Sequence, residues 1–518
     1  MRRLKAMMMK KKFKVAGRGS WLSRAQIETF RKIAETYFPE IGMEEVILDT
    51  NGDRDQSTPL HLVEGKDFFT RDIQDALKNG KADFAVHSMK DVSGADFFAN
   101  SHYAVIDRED PRDVAIFKDT VNGKLERGGE IIIGTSSPRR SHMAVRFLQK
   151  ALPQPGGVQP VIRVVPIRGN VDVRLHKLNE GPYDGIILAA AGLNRLLEFE
   201  PSRDVITQLL CGKKKMLLPL FECPPAAGQG AIVVETSDCN PDAIQVLRRA
   251  GNAGPTSAIG KERVYAERYG YGCSREFGVF HLDTPNISFT YVSGRDEERN
   301  DFREWSFDPV PDVVEGNLFV AADHMKSFFS YHYLSAAVDE TKDTFFISSH
   351  KAIHSDALVQ SLHDKRIWTA GTKTWLELAG KGLWVEGCAD GLGIQSIHRT
   401  LESPLFGIIL EDMQLITNEE SAGRWIAEGW NAVGTYRLVP ERNDRLRTLV
   451  GAADALFWTS FQQYNLFRQH IKPGAVHFCL AGKTASLLAA EGLRPFIFPG
   501  IKAFRQWQNR HTPAYAGE

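Results

Sequence analysis

Short apolar runs alternate with amphipathic stretches through the first 240 residues of this 518-residue chain. The runs fall at 13–16, 45–48, 82–87, 131–134, 162–167, 185–190 and 231–235, and segments such as 23–37 and 70–77 carry helical periodicity. Strand-like runs separated by helical stretches predict a parallel or mixed sheet with helices on its faces. Residues 257–270 predict another helix, followed by a turn at Gly272 and Cys273. The texture then changes. Residues 287–292 and 302–307 form short alternating strands around the turn-rich SGRDEERND, which predicts a small α+β module ending near residue 330.

Further on, the chain repeats itself once. FFISS at 345–349 precedes AGTKTWLELAGKGL at 370–383, and LFWTS at 456–460 precedes AGKTASLLAAEGL at 481–493. Each copy reads strand, Ser-rich strand end, helix, strand, then a helix starting at Thr. A solenoid needs three or more stacked units. Two copies predict two similar α/β lobes, with 391–418 containing the crossover between them.

Composition narrows the class. Hydrophobic content of 43% and charged content of 25% are those of a globular protein, and the length calls for several domains. Lys+Arg and Asp+Glu are 64 each, so no global basic field points to nucleic acid or an anionic membrane. The six cysteines form no CxxC pair, which argues against structural zinc and a disulfide framework; no metal is expected. The opening MRRLKAMMMKKKFK is basic without an apolar core of signal-peptide length, and no run reaches membrane-spanning length. A cytoplasmic protein is expected.

Residues 82–92, ADFAVHSMKDV, place Lys90 and Asp91 at the end of a buried strand. Carboxyl ends of such strands are where open α/β sheets bind ligands. The pair reads either as a solvated strand end or as a carboxylate held near a cation, able to move protons and stabilise positive charge. Other strand ends carry cations and hydroxyls: Arg18 and Ser20 in VAGRGSWLS, Lys66 and Arg71 in EGKDFFTRDI, Ser137, Arg139 and Arg140 in GTSSPRR, and Arg168, Asn170 and Arg174 in RGNVDVRL. One such turn is an ordinary helix cap. Four on one sheet edge predict an anion cleft, and arginine forks suit carboxylates. Nucleotide phosphate is disfavoured, since neither GxxxxGK[ST] nor a strand-following GxGxxG occurs. Cys273 in YGYGCSREFG is either a buried inert thiol or, near that edge, an activated attachment point.

HSMKDV, REDPRDV at 108–114, GTSSPRR, RGNVDVRL, YDGIILAAAGLNRL at 183–196, PPAAGQGAIVVE at 224–235, and Glu262 and Arg263 ahead of Cys273 together resemble hydroxymethylbilane synthase, also called porphobilinogen deaminase. The resemblance covers 12–330 and implies three subdomains, the third at about 240–330. Two would be periplasmic-binding-protein-like α/β domains, and the small α+β domain would carry the cofactor cysteine. It implies a dipyrromethane cofactor in thioether linkage to Cys273, extended by four porphobilinogen units with loss of ammonia, then hydrolytic release of the linear product hydroxymethylbilane. By the resemblance Asp91 is the catalytic carboxylate, stabilising the azafulvene cation, with Lys90 beside it. Lys90, Asp91, Ser137, Arg139 and Arg140 match cofactor-holding positions, and Arg18, Ser20, Lys66, Arg168, Arg174 and Arg195 match positions that hold acetate and propionate groups. The chain departs from the family where Tyr271 precedes Gly272, where SREFG replaces a Pro-Ile-Gly-like tail, where Arg71 replaces a lysine, and where Ser93 replaces a proline.

The repeat, within 340–510, resembles uroporphyrinogen-III synthase, a two-lobed α/β module that closes hydroxymethylbilane into a ring. Tyr436 in TYRLVPE matches a cleft tyrosine and a catalytic position, and Ser349, Thr459, Ser460 and Thr484 match carboxylate-binding positions, with Ser348 and Thr372 as further candidates. The strand and helix that open this fold are not evident before Phe345; either 317–337 supplies them or the first lobe is abbreviated. The reading is a monomeric, bifunctional tetrapyrrole enzyme acting on small molecules, with neither nucleic acid nor membrane as partner. The alternatives are a synthase with an inactive C-terminal module, and a non-enzymatic anion binder of periplasmic-binding fold.

Overall fold

The computed structural model describes residues 12–48, 70–271, 275–307, 310 and 316–511; Lys66 and Cys273 lie outside the described residues. The chain divides into two compact units. One comprises Met1–His281, Tyr291–Glu304 and Ser403–Gly407, the other Leu282–Thr290, Trp305–Glu402 and Ile408–Glu518.

Two five-stranded sheets frame the first unit. Strands β1 (Lys12–Arg18), β2 (Gly42–Leu48), β3 (Phe84–Ser88) and β4 (Ser101–Arg108) belong to one; β5 (Asp113–Phe117), β6 (Ile131–Gly134), β7 (Ile162–Val165), β8 (Gly185–Ala189) and β9 (Lys214–Leu217) make the other. β10 (Ala231–Ser237) returns to the first, giving the orders β2-β1-β3-β10-β4 and β7-β6-β8-β5-β9. In each sheet three neighbouring strands are parallel, and a strand placed antiparallel to them follows a crossing between the sheets. The chain therefore crosses twice, after β4 and before β10.

Apolar alternation builds the cores. Phe13 and Val15 of β1, Phe84 and Val86 of β3, and Ile232 and Val234 of β10 are buried with Ile27, Phe30 and Ala34 of the helix Trp21–Tyr37. The 3.6-residue period aligns those helix positions on one face. Phe84 packs on Phe13 and Phe30 at ring distances of 5.3 and 5.0 Å, and burying each such ring is worth ~1.5–3 kcal/mol. Ser20 caps this helix by accepting from the Ser23 N–H, and Gln26 ties it to the end of β3 by donating to Ser88 Oγ at 2.8 Å. The helix Ala253–Tyr269 leads into a three-stranded sheet of β11 (Phe277–Asp283), β12 (Ser288–Arg295) and β13 (Asp301–Phe307), so the α+β texture read from the sequence holds, with β11 added.

The second unit contains two sheets. β14 (Leu318–Val320) joins the four-stranded parallel sheet β14-β21-β22-β23, whose other members are Ala455–Trp458, Val476–Leu480 and Phe496–Phe498. The six-stranded sheet runs β15-β20-β19-β16-β17-β18: β15 is Phe329–Tyr333, β16 Thr344–Ile347, β17 Arg366–Thr369, β18 Val385–Cys388, β19 Met413–Asn418 and β20 Asn431–Pro440. The sequence repeat maps onto β16–β17–β18 and β21–β22–β23, each alternating with helices. Residues 317–337 supply one strand to each sheet. The expected crossover at 391–418 is corrected: that stretch joins β18 to β19 within one sheet, and the chain passes between sheets after β14 and after β20. Its Pro- and Gly-rich turn looked like a linker, but strand adjacency is set by the ladder.

Among the described residues no helix is long and apolar enough to cross a membrane.

Candidate active site

In the first unit, carboxyl ends of the parallel strands surround a cavity of about 300 Å³. That is the small end of ligand-site volumes. β3 ends at Ser88, and the tight turn Met89–Asp91 places half-buried Lys90 and Asp91 in the wall. Arg18 ends β1, and its N–H donates to Ser23 Oγ at 2.9 Å; Ser20 follows as the helix cap. Ser137 caps the helix Pro138–Ala151 by accepting from the Arg140 N–H, with Arg139 and Arg140 in its first turn. Arg168 follows β7, Arg174 donates to Gly169 O at 2.7 Å, and Arg195 comes from the helix Ala190–Glu198. All of these line the one cavity. Thus Arg18, Ser20, Lys90, Asp91, Ser137, Arg139, Arg140, Arg168, Arg174 and Arg195, chosen from sequence, are brought together.

The arginines differ in how they are held. Arg139 and Arg140 are buried, and each donates to one oxygen of Asp113 at 2.7 Å. Arg139 also donates to Pro224 O at 2.7 Å and Arg140 to Ile187 O at 3.1 Å, while Gln229 donates to Asp113 at 2.8 Å. Burial pushes the Asp113 carboxyl up, but the two guanidinium charges and the hydrogen bonds from Arg140 and Gln229 overcome it and hold it well below the usual carboxylate range. One carboxylate against two guanidiniums leaves net positive charge at the helix start, where an anion is already favoured. Arg195 is fixed by Asp107 and Gly230 O, both at 2.7 Å. Gly230 has φ +85°, and a Cβ there would lie 2.5 Å from Glu109 O, so only glycine fits.

Buried polar pairs secure the surroundings. Glu262 is fully buried and accepts from Arg108 at 2.8 Å, the Gly228 N–H at 2.8 Å and the His281 N–H at 2.9 Å, pinning the helix Ala253–Tyr269 to β4 and β11. His87 in the cavity wall meets Glu235 at 3.1 Å through Nε2, and Glu235 also accepts from Ser101 at 2.9 Å. Asp113 and Gln229 were not singled out by sequence reasoning, although each lies in a quoted motif, and Glu262 was named only as part of the family resemblance. The available signal was the amide of Gln229 set in the apolar stretch 224–234, whereas Asp113 and Glu262 stand in charged stretches.

The donor set suits a ligand carrying several carboxylates. Arg140 Nε, Arg195 Nε and His87 Nδ1 are buried without a protein partner, and all three residues line the cavity. A dipyrromethane with acidic side chains fits such a donor set. Asp91 with Lys90 offers a carboxylate for proton transfer and for stabilising developing positive charge.

In the second unit the structure joins two of the proposed residues. Tyr436 of β20 is buried, and its hydroxyl hydrogen-bonds with Ser349 and Asn418; burial pushes its pKa up against those hydrogen bonds. Ser348 donates to Thr417 at 2.6 Å. Thr459 donates to Gln463 at 2.8 Å and Ser460 forms a capping box with Gln463, so both serve the start of the helix Phe461–Phe467 in the other sheet's layer. Thr372 and Thr484 lie in the first turns of the helices Thr372–Gly380 and Lys483–Ala490, behind Gly371 and Gly482.

Residues 13–245 match the family model described as porphobilinogen deaminase, dipyromethane cofactor binding domain. A porphobilinogen deaminase from Nitrosomonas europaea is 34% identical over 271 residues, covering 52% of this chain and 80% of the relative. One from Lachnospira eligens is 32% identical over 289 residues, covering 55% and 90%. Among solved structures, the probable amino-acid ABC transporter extracellular-binding protein ytmK from Bacillus subtilis aligns with 10% identity and a TM-score of 0.27, covering 50% of this chain and 97% of that one. The BenM effector binding domain with its effector benzoate aligns with 13% identity and a TM-score of 0.26, covering 54% and 98%.

Proposed function

Since the chain belongs to the porphobilinogen deaminase family, we propose that it builds hydroxymethylbilane from four porphobilinogen units on a dipyrromethane held by Cys273. When bound, the dipyrromethane supplies the pyrrole terminus from which the product grows. Asp91 accepts and returns pyrrole protons and stabilises the cation left when ammonia departs, with Lys90 tuning the local charge. Ser137, Arg139 and Arg140 hold primer carboxylates. Arg18, Ser20, Arg168, Arg174 and Arg195 hold those of the arriving and growing pyrroles, and Lys66 joins them by the family pattern. One observation carries this reading: a carboxylate–lysine pair opens into a cavity walled by arginines from both sheets. Intact mass of the purified chain, with peptide mapping around Cys273, tests it. A dipyrromethane-sized increment on that peptide, absent from Cys273→Ser, is expected; an unmodified thiol in folded protein overturns it.

The second unit is proposed to cyclise hydroxymethylbilane to uroporphyrinogen III, with Tyr436 acting beside Ser349 and with Thr459, Ser460 and Thr484 toward the substrate's carboxylates. The hydrogen-bonded, buried Tyr436 supports this, as does the repeat of three parallel strands in each of two sheets. Fusion would raise the effective concentration of the second site for a product that otherwise cyclises spontaneously to the wrong isomer. Chromatography of the porphyrins formed from porphobilinogen by the full chain decides the point: type III isomer is expected, type I alone overturns it. The capping box that occupies Thr459 and Ser460 favours the second reading, a module without this activity.

A further inference from the structure

Arg275 stands two residues after Cys273 in the sequence, within the SREFG segment that departs from the family's usual tail. It lines the cavity of the first unit together with Arg18, Lys90 and Arg168, yet it comes from the start of the small third region rather than from either five-stranded sheet. Its Nη1 donates to Glu297 Oε1 at 2.8 Å, and Glu297 stands on the turn between β12 and β13. The guanidinium rests against Gly270, which ends the helix Ala253–Tyr269 at φ +98°; a Cβ there would meet Arg275 Nε, Cζ and Nη2 at 2.4 to 2.6 Å. Gly270 thus leaves the space in which this cation sits.

The partner matters as much as the place. The side chains of Arg275 and Glu297 are 38% and 77% exposed, so water screens their ion pair and it holds the guanidinium only weakly. A carboxylate presented from the cavity can take the guanidinium from Glu297 at small cost, and a planar guanidinium binds a carboxylate through two hydrogen bonds. Arg139, Arg140 and Arg195 are different, because their carboxylate partners stand among buried donors.

Resting on the deaminase reading above, we propose that Arg275 is an exchangeable carboxylate clamp, paired with Glu297 when no anion is near and with a side-chain carboxylate of the pyrrole substrate or growing chain when one is. This adds to the cavity a cation outside the set assigned from the family pattern. Glu297 competes with the substrate for it.

The test uses the full chain with its covalent cofactor, comparing wild type, Arg275→Gln and Glu297→Gln at low and high salt. The readouts are the KM for porphobilinogen and, by intact mass, the distribution of covalent enzyme–pyrrole species after substrate is mixed at a limiting ratio. Removing the competitor in Glu297→Gln lowers KM about threefold, and removing the clamp in Arg275→Gln raises it about fivefold, both differences shrinking in high salt. Arg275→Gln also shifts the covalent species toward shorter chains. Should Arg275→Gln fail to fold or load, the exposed turn variant Glu297→Gln decides alone. A loaded, active wild type whose Glu297→Gln variant keeps its KM and species distribution overturns this assignment and leaves the deaminase reading standing. A wild type with neither adduct nor turnover overturns both.

Discussion

Asp113 and Arg140 meet at 2.7 Å inside the first unit, the first on β5 and the second on the helix after β6. With Arg139 on the other oxygen, the carboxylate is the pivot on which two cavity arginines are oriented. A buried pair that loses one partner leaves an uncompensated charge, at a cost of about 3–5 kcal/mol. Asp113→Asn should therefore lower the urea-unfolding free energy by that amount. A loss below about 1 kcal/mol would show that the arginines find other partners.

The same pair sets an acid limit. The Asp113 carboxyl is depressed in the folded state, below the ordinary aspartate value of 3.8, so its stabilising contribution is fully present above that value and is lost as pH falls below it. The stability gap between wild type and Asp113→Asn should stay constant near neutrality and narrow in acid. Paired denaturation curves across pH check this, and a gap that widens in acid contradicts it.

Asp91 is half-buried in a short turn and carries little of the core. Asp91→Asn should keep its melting temperature within a few degrees and retain its covalent pyrroles. Porphobilinogen turnover should fall by about 10²–10⁴-fold, the usual span for a positioned acid–base group. Near-normal turnover removes Asp91 from the proposed role.

Tyr436→Phe deletes one hydroxyl that Ser349 and Asn418 hydrogen-bond, without emptying the buried ring site. Stability should change by about 1 kcal/mol, the net worth of a hydrogen bond. Porphobilinogen consumption should be untouched, while the type III to type I ratio of the porphyrins falls at least severalfold. An unchanged ratio relieves Tyr436 of a part in cyclisation.

Thiol reactivity should divide by burial. Cys211 and Cys239 are exposed; Cys223, Cys388 and Cys479 are buried, and burial pushes the Cys479 thiol up to about 12. Alkylation of native protein followed by peptide mapping should mark Cys211 and Cys239 and spare the buried three. Rapid labelling of Cys479 would contradict the packing around β22.

The strands that end in the cavity were legible because parallel, doubly covered strands are continuous apolar runs; Phe84–Ser88 and Gly185–Ala189 announce themselves in this way. Ser101–Arg108 and Lys214–Leu217 were not found, since their charged ends dilute the pattern and their pairing with Ala231–Ser237 and Asp113–Phe117 is antiparallel and distant in sequence. Cations at strand ends stood out for the same reason the strands did. The roles of Asp113 and Glu262 stayed hidden, because a carboxylate's value here depends on partners such as Arg140 and Arg108, 27 and 154 residues away. Residues 318–333 defeated periodicity altogether: strands of three and five residues are too short for a period to show.

The double crossing between sheets has a consequence for synthesis. β10 sits between β3 and β4, so β4 has no neighbour in its sheet until residues 231–237 exist, whereas β5 to β9 form one uninterrupted stretch. On a chain made from its N-terminus, the sheet begun second can close first, nested inside one still waiting for the strand that joins β3 to β4. Ribosome-bound chains halted before Ala231 should resist protease across 113–217 and yield to it across 84–108. Equal protection of both would refute that order. The cavity is then the last thing to form, because its near wall cannot set until its far wall already stands.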